Sequence, residues 1–184
     1  MPPLESTMTP LGSPLPAFAL PDTRDGSTVR HADFTGRPLL VMFLCNHCPY
    51  VTHVRDALAA LGREHAQGPL AIVAISSNDP VAYPEDAPER MTEEARAAGY
   101  AFPYCFDATQ QVARDFGAAC TPDFFLFDAH HRLAYRGRLD DSRPRSASPV
   151  HGGDLRAAID AVLAGKDPAQ PQFPSVGCSI KWKA

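Results

Sequence analysis

The chain has no apolar run long enough to cross a membrane. Its longest, Pro38 to Cys45 (PLLVMFLC), falls far short of the roughly 18 residues a membrane helix needs. It also lacks an excess of positive charge. Seventeen Lys and Arg stand against 21 Asp and Glu, a net charge of −4, which argues against a broad surface for nucleic acid or anionic lipid. No Lys or Arg precedes Arg24 and no long apolar stretch follows Met1. With Met1 taken as the start, a secretion signal is not expected and the expected compartment is the cytoplasm. There is no internal repeat and no block of like charge. Gly and Pro, 12 and 19 of 184 residues, are too few for a low-complexity chain. Hydrophobic residues make up 45%, enough to bury a core, and the length fits a single domain over 1–184.

What the sequence does have is five cysteines, Cys45, Cys48, Cys105, Cys120 and Cys178. An odd number at uneven spacing, without a secretion signal, is a poor disulfide framework. Only Cys45 and Cys48 are close, and they form a C-x-x-C. The motif sits where one pattern gives way to another. Pro38–Cys45 reads as a fully buried strand, whereas Val51, Val54, Leu58 and Leu61 lie on one helix face. Pro49 falls in the first turn of that helix, where a missing N–H costs nothing.

Elsewhere the reading is of alternating strands and helices. Residues 1–16 form an irregular lead-in, and a weak hairpin turns at Asp25-Gly26. Leu70–Ile75 and Phe102–Phe106 are strand candidates. Asp86/Glu89 and Asp107/Gln110 have capping-box spacing, opening helices that Gly99 and Gly117 end. Asp123–Phe127 and Leu133–Leu139 suggest an antiparallel pair. Asp154 caps a last helix closed by Gly165, and 166–184 form a C-terminal tail. Helices between strands imply parallel crossovers, so the expectation is an α/β fold with a mixed central sheet covered on both faces.

A thiolate is the reactive form of cysteine, and its pKa falls at a helix N-terminus or beside a cation. The helix after Cys48 supplies the first effect, and His47 the second when protonated. On this reading Cys45 is the exposed attacking sulfur and Cys48, more buried, closes the disulfide and releases the mixed-disulfide partner. Thiolate stabilisation favours the reduced form, so the couple is expected above the potential of thioredoxin, near ~−270 mV.

Four segments carry a family resemblance: F-L-C-N-H-C-P-Y-V (Phe43–Val51), Y-P-E-D-A-P-E (Tyr83–Glu89), C-T-P-D-F-F-L-F-D (Cys120–Asp128) and P-S-V-G-C-S-I-K-W-K (Pro174–Lys183). From about residue 15 to the end the chain resembles the thioredoxin-like superfamily, on its peroxiredoxin-like (redoxin, thiol-specific-antioxidant) branch. The resemblance implies a thioredoxin-like fold with an N-terminal β-hairpin extension and no cofactor or bound metal. It also implies a cis Thr121-Pro122 bond packed against the C-x-x-C, with Thr121 offering backbone hydrogen bonds to a bound chain. The implied partners are a disulfide-containing protein or small thiol and an upstream reductant.

Two departures matter. The peroxiredoxin pattern P-x-x-x-T-x-x-C has Met42 at the Thr position when read back from Cys45, and Cys45 there when read back from Cys48. The buried Asp that thioredoxins carry six residues before the first cysteine is Leu39 here, so the proton acceptor is His47, a carboxylate of the Asp79–Glu89 loop, or water. C-N-H-C resembles the C-P-H-C of strongly oxidising enzymes. Cys48-Pro49-Tyr50-Val51 resembles a glutaredoxin motif without its last cysteine, a register in which Cys48 is the nucleophile.

Three functions follow. The first is a thiol–disulfide oxidoreductase using Cys45, Cys48, His47, Thr121 and Pro122. The second is a thiol peroxidase with Cys120 or Cys178 as resolver. The third is a copper or zinc binding module using Cys45 and Cys48 plus a histidine such as His53, His130, His131 or His151. Cys120 and Cys178 are accessory redox candidates, and Cys105 reads as core.

Overall fold

The computed structural model describes residues 3–184. Its first half runs β1 (Leu4–Glu5), β2 (Ala19–Pro21), β3 (Thr28–Arg30), β4 (Leu39–Phe43), α1 (Pro49–His65), β5 (Ala71–Ser76) and α2 (Pro88–Ala98). The second runs β6 (Tyr104–Phe106), α3 (Gln111–Phe116), β7 (Cys120–Thr121), β8 (Asp123–Phe127), β9 (Leu133–Gly137), α4 (Gly153–Leu163) and β10 (Val176–Ser179).

The unalternating apolar run becomes β4, buried at every position and central in a five-stranded sheet of order β6-β5-β4-β8-β9. Strand neighbours β4, β5 and β6 are parallel, which requires the crossovers α1 and α2. Pairs β4–β8 and β8–β9 are antiparallel, as the closing hairpin suggests. This is the expected α/β thioredoxin-like fold with a mixed sheet.

A strand apolar on both faces needs cover on both. Leu40 and Met42, with Phe124 and Leu126 of β8, face a core formed with Val51, Val54 and Leu58 of α1, Met91 of α2 and Leu155 and Ile159 of α4. Leu39, Val41 and Phe43 face a second core under Val112 and Phe116 of α3, closed by Phe18, Leu20 and Val29 of the β2–β3 hairpin. The edge-to-face contacts of Phe116 with Phe43, Phe125 and Phe127 knit that second core.

The ends of the chain correct the sequence reading. The lead-in contains β1, which pairs with β10 of the tail, and β10 pairs in turn with β7. The order β1-β10-β7 forms a separate three-stranded sheet. Backbone groups of β7 need partners, and the tail supplies them while Ile180 buries itself in the second core. The tail is therefore docked structure.

The capping assignments also change. Ala87, not Asp86, precedes α2, and Asp86 turns into the interior. Gln110 occupies the position before α3, while Asp107 accepts the Ala113 N–H from outside the helix. Before α4 that position is Gly152, in the left-handed region that favours glycine. Asp140 accepts the N–H groups of His151 and Gly152, leaving Asp154 to pair with Arg138.

Asp123 opens β8 fully inside the protein. One carboxylate oxygen accepts the Ser6 hydroxyl at 2.7 Å, and the other has no hydrogen-bond partner among the described residues. Burial pushes this carboxyl up to about 7. An unfolded Asp titrates near ~3.9, so the folded chain binds this proton more tightly. The stability it contributes is full below about 3.9 and is lost as the pH rises through about 7. Asp123→Asn should remove that decline. Urea unfolding midpoints across this window should fall for the wild type relative to the variant. Parallel profiles would show that Asp123 is not the titrating group.

Candidate active site

The site lies at the C-terminal end of β4. After Phe43 the backbone stays tied to β5 through the Leu44 N–H and the Ile75 carbonyl, 2.9 Å apart. The chain then turns through Cys45–Cys48 and enters α1, with Cys48 directly before the first helical residue, Pro49. Thr52 closes the first turn onto the Cys48 carbonyl, leaving the N–H groups of Tyr50 and Val51 at the helix start. The Thr121-Pro122 bond is cis, as the resemblance implied, and sets Thr121 against both sulfurs. The Thr121 hydroxyl is 3.2 Å from Cys45 Sγ, and the Cys48 thiol donates to the Thr121 carbonyl at 3.2 Å. The expected exposure of Cys45 is not observed. Cys45 is 2% and Cys48 0% exposed.

Asp86 completes the site. It is fully buried and accepts three hydrogen bonds, from the Asn46 N–H at 2.7 Å, the Asn78 side-chain amide at 2.7 Å and His47 Nδ1 at 2.6 Å. Burying a carboxylate costs several kcal/mol unless it is paired and hydrogen-bonded, and this one is both. Asn46 is held further by Tyr104, whose hydroxyl donates to its side-chain oxygen at 3.0 Å. The Tyr83 ring stacks on His47, centroids 5.3 Å apart and planes 8° from parallel. The sequence flagged the Asp79–Glu89 loop as a source of a carboxylate, but the capping-box spacing drew Asp86 to the wrong role. Nothing local marks Asn46, Asn78 and Tyr83, which act through neighbours distant in sequence.

Cys45 Sγ, a His47 nitrogen and an Asp86 oxygen lie within 4.8 Å of one another, a set of metal-ligating types. The His47–Asp86 separation of 2.6 Å is that of a short hydrogen bond. Ligands around a tetrahedral ion with bonds of about 2.0–2.3 Å stand more than about 3 Å apart. The set therefore suits proton transfer better than an ion. The histidines singled out for a metal lie elsewhere. His53 bonds the Ser142 hydroxyl, His131 the Phe34 carbonyl and His151 Asp141, while His130 is exposed.

The two sulfurs are neighbours, and their surroundings push their proton affinities apart. The Cys45 thiol, donating toward Cys48, is the largest cause that pulls Cys48 down to about 5. Burial opposes this. The Cys178 thiol and the backbone N–H groups of Val51 and Cys178 reinforce it. Ionisation forfeits the bond to the Thr121 carbonyl, but two N–H donors and the start of α1 outweigh that loss. Cys45 is pushed far up by the same proton-sharing bond, by burial and by the Asp86 charge, against the Thr121 hydroxyl. The surroundings thus favour the anion on Cys48 over Cys45, the direction of the glutaredoxin-like reading.

Of the other cysteines, Cys120 is buried and raised by burial, its thiol 3.8 Å from the Pro122 carbonyl. Cys105 is core, as expected. Cys178 is half-buried, reaches Cys48, and is pushed up to about 12 by burial and by Cys48, with Lys181 opposing.

Residues 11–136 match the AhpC/TSA family, and the chain belongs to it. An uncharacterized conserved protein from Geobacillus kaustophilus is similar over 100% of this chain and 97% of its own, with 49% identity and a TM-score of 0.97. A hypothetical protein from Sinorhizobium meliloti shares 50% identity over 98% of both chains, with a TM-score of 0.95. A secreted disulfide oxidoreductase of Mycobacterium tuberculosis shares the fold at 14% identity, over 75% of this chain and 90% of its own, with a TM-score of 0.58. No curated protein matches the sequence. The family match supports redox thiol chemistry in general.

Titration of the reduced protein should reveal one thiolate with a midpoint near about 5, read by its ultraviolet absorbance. The signal should move up in Cys45→Ser and vanish in Cys48→Ser. A signal unchanged in Cys48→Ser would place the thiolate on another sulfur.

Proposed function

We propose that the protein is a thiol–disulfide oxidoreductase in which Cys45 and Cys48 form the redox couple. Its partners are a disulfide-containing protein or small thiol and an upstream reductant. One observation carries the reading: Cys45 and Cys48 sit together before a helix and against the cis Thr121-Pro122 bond, with His47 and Asp86 atoms within 4.8 Å of the Cys45 sulfur. Cys48 is taken into a mixed disulfide as the substrate disulfide opens and one thiolate leaves. Cys45 gives up its proton to the His47–Asp86 pair and attacks Cys48. The Cys45–Cys48 bond forms, and the second substrate sulfur leaves and is protonated. Two electrons pass to the substrate. The reverse sequence oxidises a dithiol.

A thiol peroxidase is the second reading, favoured by the family match and by the Thr121 hydroxyl beside Cys45. Against it, Met42 sits buried in the core where the peroxiredoxin pattern has Thr, and the sulfur facing the hydroxyl holds its proton. Steady-state peroxide consumption with low-micromolar saturation would move this reading ahead.

The couple should obey a specific pH law, read by thiol trapping and mass spectrometry across redox buffers. With Cys48 ionised and Cys45 protonated, one proton accompanies two electrons. The potential then falls by about 30 mV per pH unit above about pH 5, and by about 59 mV below it. It should lie above about −270 mV, because the reduced thiolate is stabilised. Sulfurs that never pair would overturn the proposal.

Asp86→Asn should slow closure of the Cys45–Cys48 bond about 100-fold at neutral pH. The rate should then climb with pH without levelling, as hydroxide replaces the side-chain base. An unchanged stopped-flow closure rate would remove Asp86 from the reaction.

A further inference from the structure

Neither member of the couple reaches solvent, since Cys45 and Cys48 are 2% and 0% exposed. The half-buried cysteine lies on β10. Cys178 packs against the core that holds Cys48, and its thiol and N–H favour the Cys48 anion. Its strand runs antiparallel to β7 with Cys178 opposite Thr121, the residue before Pro122. The chain's own tail thus holds the backbone of Thr121, which the family resemblance reserves for a bound chain.

The placement is built. A Cβ at Gly177 would overlap the Thr121 carbonyl, so only glycine lets β10 come this close. Beyond Cys178 the Ile180 N–H donates to the Ala119 carbonyl at 3.1 Å. The Lys181 N–H donates to Asn78 at 2.8 Å, and the Lys181 carbonyl accepts the Asp79 N–H at 2.9 Å and the Gln110 side-chain amide at 2.8 Å. These bonds hold the strand that carries Cys178 beside the couple.

We propose that Cys178 is a relay thiol through which the buried couple exchanges with disulfides in solution. The proposal rests on the oxidoreductase reading of Cys45 and Cys48. Cys178 attacks an incoming disulfide, its proton goes to the departing thiol, and a mixed disulfide forms on Cys178. The Cys48 thiolate attacks the Cys178 sulfur, forming Cys48–Cys178 and releasing the second substrate thiolate. Cys45, its proton passing to the His47–Asp86 pair, attacks Cys48 and expels Cys178, which recovers a proton. The external disulfide gains two electrons, Cys45 and Cys48 lose them, and Cys178 ends as it began. Burial and Cys48 hold the Cys178 proton, with Lys181 opposing, so the first exchange is the slow step and the later ones run from the Cys48 sulfur.

The test uses oxidised glutathione and the full-length chain, with peptide mapping under non-reducing conditions. Cys45→Ser stops the relay at its middle state, so the expected product is an intramolecular Cys48–Cys178 disulfide. Cys178→Ser keeps the backbone bonds of β10 and should slow Cys45–Cys48 formation at least about tenfold. Unchanged thermal midpoints confirm that both variants fold. A Cys45→Ser protein ending with glutathione on Cys48 and a free Cys178 would overturn the relay, even if Cys178→Ser were slow. A wild-type rate in Cys178→Ser would overturn it too. Either outcome leaves the couple standing if wild type still forms Cys45–Cys48. If wild type forms no such bond, the oxidoreductase reading falls with the relay.

Discussion

The buried carboxylate of Asp86 is the constraint on which the site depends. A charge with no access to water must be matched by donors, and three chain segments supply them. The Asn46 N–H and His47 come from the C-x-x-C turn, and Asn78 from the loop after β5. Asn78 spends its other polar atom on the Lys181 N–H, so the same carboxylate indirectly anchors the tail. The turn that carries both sulfurs, the loop that carries Asp86 and the strand that carries Cys178 therefore form one connected polar network. Removing one partner would leave the others buried and unmatched.

The two apolar cores let that network exist at a strand end. With β4 covered on both faces, the sheet is rigid where it delivers Cys45. The sulfurs also lie in a medium that strengthens each remaining interaction. In this setting the difference between the two cysteines is large. Cys48 has the start of α1 and two backbone donors, while Cys45 has a carboxylate. Like atoms three residues apart are thus given opposite proton affinities by the ends of different elements.

Much of the fold was legible because it rests on local pattern. The unbroken run at β4, the helical spacing of Val51, Val54, Leu58 and Leu61, and the hairpin of β8 and β9 all appear as read. The capping boxes at Asp86 and Asp107 misled because an acid three residues before a polar or acidic residue satisfies a spacing rule whether or not its side chain turns outward. Asp86 turned inward because buried donors were waiting. Strands β1, β7 and β10 were missed for a related reason. They are two to four residues long, too short for alternation to register, and exist because each lends hydrogen bonds to another far away in sequence.

The sequence alone determined that a C-x-x-C stands between a buried strand and a helix, in an α/β chain that repeats the pattern. Hydrophobic periodicity and the residue types of that motif carry this information without reference to distant neighbours. Only the tertiary structure decided what surrounds each sulfur, which loop brings a carboxylate to His47 and what lies over the pair. Proton affinity depends on the charges and donors that surround a group in space. Here Asp86, Thr121 and Cys178 reach the two cysteines from 38 or more positions along the chain, across contacts that no local pattern records.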